Sequence, residues 1–465
     1  MTTFESTRDR LLSPGYRRRF LTIMFLVSSF NYADRAVFAV LAQPIKEDLR
    51  LTDFQLGLLQ GLSFAILYAV LGLPIGRLAE RMSRVRIVAT ATAFFSLMTA
   101  ACGLAGNFIQ LMFARVGVGV GEAGFHPPTS SLIGDIFPRN NRASAVSLIM
   151  LGTPVGTLLG SFAGGFATNG LGWRAAFFVL GVPGVIIALL VLLVLREPSR
   201  GLVDGLPPTR TPPPRFTAFL RTLVTKRALM LIFFGGTIAG FGMSSIAQFL
   251  AVFIAREYQT TTLNAALLYG VIAGIYLTVG FLLGSFGTDF LARRGDARWP
   301  AWGSAFGLLS APFVLGLAFT IHDLTIASCL LVVGGSLLFL YTGPTQGMIQ
   351  NMLEPQMRAT GIALFFLLFT LIGSGLGPPF VGFVSDRFAS AAFAHGDYLT
   401  QCPGGHAAAG SLPSIQQACA NAAALGVREA LFVSVSVFFV SGICYLLASR
   451  TLRKDLYDPE AARTT

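Results

Sequence analysis

Apolar positions in this chain come in long blocks of about twenty residues, separated by short polar connections. At about 1.5 Å per residue, such a block spans roughly 30 Å as an α-helix, the thickness of a bilayer's hydrocarbon. Lipid offers backbone amides no partner, so the blocks must be helical. Twelve are predicted, over residues 20–42, 54–77, 87–105, 108–136, 143–168, 174–195, 228–254, 265–290, 300–321, 325–352, 359–385 and 428–449. Arg17–Arg19 before the first block suggest a signal peptide, but no clear cleavage site follows. Asp34 and Arg35 also interrupt the block's far half, which predicts a retained span. The expected fold class is an all-α membrane protein of twelve transmembrane helices.

Composition agrees with immersion in lipid: the chain is 54% hydrophobic and 12% charged, with 41 Phe and 51 Gly. A net charge of +12 would suggest nucleic acid for a soluble protein. Here most of the 34 basic residues fall in connections on one side of the predicted spans. The other side holds Lys46, Arg50, Arg174, Arg256, Arg387 and Arg428. That asymmetry places both termini in the cytoplasm by the positive-inside rule and removes the case for a nucleic-acid partner.

Residues 196–227 form the longest cytoplasmic break, carrying Arg196, Arg200, Arg210, Arg215, Arg221, Lys226 and Arg227 with five prolines between 207 and 214. A Pro-rich basic segment reads as a semi-rigid connection over an anionic membrane face. It divides the chain into a tail (1–19), a six-helix bundle (20–195), the linker (196–227), and a second six-helix bundle (228–449) with a long outer connection (386–427), then a tail (450–465). The halves echo each other. Gly76, Glu80 and Arg84 after the second span repeat as Ser285, Asp289 and Arg293 after the eighth; Arg142-Ala143 repeats as Arg358-Ala359. Parallel internal repeats of this kind suit alternating access.

This organisation resembles the major facilitator superfamily across nearly the whole chain. The loop with Gly76, Glu80, Arg81 and Arg84 is similar to the superfamily's signature after helix 2, with Glu80 where Asp is usual and a later base shifted to Arg86. Gly152-Thr153-Pro154-Val155-Gly156, then Gly160 and Gly164, is similar to its helix 5. Asn31-Tyr32-Ala33-Asp34-Arg35 and Gly119-Val120-Gly121-Glu122-Ala123 resemble the Spinster-like group. The resemblance implies a secondary transporter of lysolipids or sphingosine phosphates, monomeric, in a cell membrane such as a bacterial inner membrane.

Asp34, Arg35, Arg115 and Glu122 fall at mid-span, where a charge costs at least about 2.5–3.5 kcal/mol unless paired or water-facing. Arg115 and Glu122, seven apart, share a helix face, with His126 four further on. If helices 1 and 4 both line the central cavity, as the resemblance implies, all four charges meet there. The leading reading is proton coupling: Asp34 carries the proton against Arg35 or Arg115, and Glu122 is a second acceptor or the counter-ion of Arg115. A second reading is an anion clamp made by the two guanidiniums, with Asn31 and Tyr32 beside them. A third is a pair of structural ion pairs. The substrate is expected to be an amphipathic anion; a sugar acid or aromatic carboxylate, or uncoupled facilitation, are the alternatives.

Gly76, Glu80, Arg81, Arg84, Asp289 and Arg293 are expected to form a cytoplasmic gate that latches the halves, whereas Asp386-Arg387 reads as ordinary outer loop charge. In the second half the polar span residues are uncharged, and Tyr276, Tyr341, Thr345 and Gln346 are its candidate substrate contacts, with Ser244, Ser245, Gln248, Tyr269 and Thr342 nearby. Local hydrogen bonding between helices is their alternative. Cys402 and Cys419 lie in the outer connection and are expected to bridge; Cys102, Cys329 and Cys444 are expected to be packed thiols. No metal-ligand spacing, nucleophile motif or phosphate-binding glycine loop occurs, so neither an enzyme nor a cofactor is expected.

Overall fold

The computed structural model describes residues 11–137, 145–146, 148–168, 170–199, 202, 216–294, 296–354, 357–407 and 411–456. Among them, twelve helical segments are long and apolar enough to cross a membrane, and no strand is present. In chain order, spans 1 to 6 are Pro14–Val40, Asp53–Gly72, Arg84–Cys102, Phe108–Ile136, Leu148–Thr168 and Trp173–Val194. Spans 7 to 12 are Arg227–Glu257, Thr262–Ala292, Trp299–Thr320, Leu324–Met352, Thr360–Ala392 and Pro413–Asp455.

Span starts carry local instructions. The Ser13 hydroxyl accepts from the Tyr16 amide with Pro14 at the first turn, Asn107 caps span 4, and Thr52 with Gln55 forms a capping box at span 2. Several spans are interrupted, among them spans 2, 4 and 10, the last between Leu324–Phe339 and Thr342–Met352. Span 2 kinks at Gly61, between helices Asp53–Gln60 and Leu62–Arg81. Span 4 is interrupted between Phe108–Glu122 and His126–Ile136, so Glu122 and His126 do not share one regular helix as their spacing predicts.

The two halves meet most tightly at the end of the bundle that holds the disulfide, called here the disulfide end. Span 2 lies against span 11 with backbone on backbone: a Cβ on Gly57 would collide with the Pro378 carbonyl, and one on Gly382 with the Asp53 carbonyl. Only glycine allows that approach. Span 5 also touches span 8 across the halves, with Gly270 against Ser161 and Gly274 against Leu158.

Spans 11 and 12 run further than their hydropathy predicts. Span 11 continues to Ala392 and span 12 already begins at Pro413, so the connection shrinks to 393–412. The reason is propensity: the Ala-rich run Ala418–Ala424 is a strong helix former that projects beyond the apolar block. Asp386 is therefore helical and buried, which corrects its reading as loop charge. Of the linker, residues 203–215 lie outside the described ones, and Phe216–Thr225 form a short helix.

Cys402 and Cys419 form a disulfide with Cα atoms 5.6 Å apart, tying the connection to the start of span 12. Cys102 and Cys444 are buried, but Cys329 is exposed on span 10, contrary to its expected packing, because a lipid-facing helix surface accepts an apolar thiol. Cys402→Ser is expected to destabilise the folded protein by about 3 kcal/mol through the released 17-residue loop, read as a lower thermal midpoint.

Candidate functional site

Two buried acid–guanidinium pairs occupy the middle of the first half, and they are crossed. Asp34 Oδ2 accepts from Arg115 Nη1 at 2.8 Å, while Asp34 Oδ1 accepts from the Thr99 hydroxyl at 2.7 Å. Arg35 donates from Nε and Nη2 to Glu122 Oε2, at 3.0 and 2.5 Å. Adjacent residues on a helix project about 100° apart, so Asp34 and Arg35 face different parts of span 4. Arg115 and Glu122 stand two turns apart there and can each meet one of them. Glu122 is thus the partner of Arg35 and not the counter-ion of Arg115. Thr99 on span 3 was invisible to a search for charges; a hydroxyl within an apolar span is its only signal.

The pairs differ in access. The Arg115 side chain is 2% exposed and lies over the Phe38 ring, 4.4 Å from its centroid. That of Arg35 is 28% exposed, and its guanidinium sits among Phe64, Tyr32 and Tyr68 at 4.5, 5.3 and 5.7 Å. Asn31, one turn away, is buried with neither amide atom paired among the described residues, and Glu122 Oε1 is likewise bare. The first pair is sealed, and in the second only Arg35 is partly exposed.

In the second half, Thr345 donates to the Tyr341 carbonyl and its hydroxyl bonds that of Tyr445, both at 2.6 Å. The Tyr341 hydroxyl reaches Met243 Sδ, and Tyr276 packs on Phe339. These residues are engaged with their own half; Gln346 is half-buried on span 10. Gln60 of span 2 donates to the Gln248 carbonyl of span 7 at 3.1 Å, a polar bridge between the halves.

A third charged cluster, which hydropathy had assigned to interfacial loops, joins the halves at the disulfide end. Asp53 accepts from Lys46 at 2.7 Å, from Arg256 Nη1 and Nη2 at 2.9 and 2.8 Å, and from the Ser385 hydroxyl at 2.7 Å. Asp386 accepts from the Asp53 and Phe54 amides, capping span 2 from across the interface. Burial pushes the Lys46 ammonium below its ordinary pKa, against the opposing pull of Asp53. Above the cluster, His406 meets Glu47 at 2.9 Å and Gly404, at φ +75°, lets the disulfide-closed turn press on the Ala42–Leu49 helix.

At the opposite end, Arg84 is buried and held by Asp135, by Glu197 at 2.7 Å, by Ser131 and by the Pro198 carbonyl. These partners belong to the first half, so Arg84 braces spans 3 and 4 and the chain after span 6. The side chains of Gly76, Glu80, Arg81, Asp289 and Arg293 lie outside the described ones. Arg84→Ala removes the buried guanidinium that joins Asp135, Glu197, Ser131 and Pro198, and is expected to lower the thermal midpoint of the protein.

Comparison with known proteins agrees with this architecture. Residues 24–394 match the Major Facilitator Superfamily. An MFS-type efflux pump of Mycolicibacterium smegmatis is 29% identical over 436 residues, 94% of this chain and 93% of that protein. Protein spinster homolog 1 of Homo sapiens is 29% identical over 396 residues, 81% of this chain and 74% of that protein. The crystal structure of a bacterial homolog to the human lysosomal transporter Spinster, inward-facing and unoccupied, is 31% identical, with a TM-score of 0.86 over 96% of this chain and 100% of that chain. Its occupied inward-facing form gives 0.83.

Proposed function

This chain belongs to the Major Facilitator Superfamily as a Spinster-like transporter, and we propose that it couples proton movement to the passage of an amphipathic anion such as a lysolipid or sphingosine phosphate. The observation that carries this reading is the sealed Asp34–Arg115 pair beside the accessible Arg35–Glu122 pair. A proton on Asp34 removes the charge that holds Arg115 and Thr99 to span 1, and so changes which packing of spans 1, 3 and 4 is favoured. Glu122 is the second acceptor. Arg35, released from it, offers a guanidinium fork suited to a phosphate or carboxylate head group. Asn31, Tyr32 and His126 line the approach.

In this reading the disulfide end faces outward and both termini are cytoplasmic, which the basic-residue asymmetry and the disulfide's need for an oxidising face both support. The cluster around Asp53 is then an outer gate, shut here. The carrier acts as a monomer in a cell membrane, a bacterial inner membrane by its kinship, and the cytoplasmic gate forms from Gly76, Glu80, Arg81, Asp289 and Arg293 when that end closes.

Proteoliposomes with a trapped pH dye test the proposal. Adding a lysolipid or sphingosine phosphate should move protons, and the responding compound identifies the substrate class. Substrate passage with no pH change would refute the coupling.

A further inference from the structure

Glu122 has the surroundings of a cation receptor. Its carboxylate is fully buried, and the guanidinium of Arg35 that meets it lies over the rings of Tyr32, Phe64 and Tyr68. A position flanked by three aromatic faces and ended by a carboxylate attracts a soft organic cation through ring quadrupoles and charge together. In this structure the occupant is Arg35. Its hold is incomplete: both donated bonds converge on Oε2, and Oε1 is buried without a partner among the described residues. Arginine–carboxylate pairs frequently engage both oxygens in a parallel fork, and this one does not. Arg35 is also the accessible member of the four mid-span charges, at 28% against 2% for Arg115 and Asp34 and 0% for Glu122.

We propose that Tyr32, Phe64, Tyr68 and Glu122 form a binding site for an organic cation of the alkyl- or arylammonium class, in which Arg35 is a resident stand-in that the ligand displaces. A quaternary ammonium needs no hydrogen-bond acceptor and fits between the rings; a primary amine or guanidinium could also donate to the bare Oε1. Displacement frees the partly exposed Arg35 side chain from Glu122. The site shares residues with the transport reading but not its premise, because binding is read with no gradient and no movement. An uncoupled carrier leaves this inference standing.

The test is calorimetric titration of the full chain in lipid nanodiscs with benzyltrimethylammonium, and with phenyl phosphate as the anionic counterpart. Wild type should bind the cation saturably, and Arg35→Ala should bind it at least tenfold more tightly because the competitor is gone. Adding Glu122→Gln to Arg35→Ala should reverse that gain. Should Arg35→Ala fail to fold, Phe64→Leu and Tyr68→Leu keep apolar volume while removing ring faces; each should weaken the cation severalfold and leave phenyl phosphate unchanged. The proposal is overturned if the folded wild type shows no saturable cation binding. It is equally overturned if Arg35→Ala binds the cation no better, or if the ring variants alter both probes alike, which would make Arg35 an anion clamp or a structural charge.

Discussion

Asp34→Asn is expected to abolish substrate-evoked proton flux, with transport falling at least roughly tenfold, while the protein still inserts and folds. Asn is isosteric with Asp and keeps an oxygen to accept from Thr99 or Arg115. What it lacks is the charge and the titratable proton. Arg115, 2% exposed, is left with a neutral partner, so stability should fall too. Breaking a buried pair costs about 3–5 kcal/mol when one charge is stranded. The double variant Asp34→Asn with Arg115→Gln separates the two effects. It removes both charges, so the thermal midpoint should recover in large part, whereas proton flux should not. Wild-type flux in Asp34→Asn would exclude Asp34 as the proton carrier, and recovery of flux in the double variant would make the pair merely structural.

Asp53→Asn should have the largest conformational effect. Among the described residues, Asp53 is the anion on which Lys46, Arg256 and Ser385 converge. Neutralising it leaves two buried cations together, with Asp386 and Glu47 as the remaining carboxylates that act on them among the described residues. Lys46 has an escape, since burial already lowers its pKa and it can shed its proton. Arg256 cannot, because guanidinium stays charged. Arg256 is therefore expected to leave, carrying span 7 away from span 2. A loss of about 3–5 kcal/mol from this contact corresponds to roughly two to four tenfold steps in a two-state population. Spin labels on Leu104→Cys and His322→Cys, both exposed and on different halves, would report the change in a Cys329→Ser background. Their distance distribution should shift to longer values. An unshifted distribution would mean that the glycine contacts alone keep this end shut.

The architecture was legible because bilayer thickness imposes a minimum length on every span, and hydropathy detects the apolar part of that length directly. The depth of Asp34, Arg35, Arg115 and Glu122 followed from the same count. Their pairing did not: it depends on the rotation of span 4 against span 1, which a helix's own periodicity does not contain. Asp53, Arg256 and Asp386 were passed over because each sits near a span end, where charge is cheap and ordinarily solvated. Only packing of one half against the other buries them. Tyr341 and Thr345 read as candidate contacts because polarity in a span marks either a ligand or a neighbour, and here a neighbouring Tyr445 takes the hydroxyl. The Ala-rich start of span 12 was lost for the opposite reason, being helical without being apolar enough to count.

The glycine contacts between spans 2 and 11 have a consequence for how the medium acts on the carrier. Gly57 on Pro378 and Gly382 on Asp53 put peptide groups against each other with no side chain between them. Parting these surfaces exposes bare backbone and the Asp53 cluster together, and the new cleft has to fill with water. Solutes excluded from peptide surface, such as sucrose or trimethylamine oxide, oppose that exposure. The closed disulfide end is thus favoured by osmotic stress, and the carrier's resting orientation becomes a function of water activity as well as of charge.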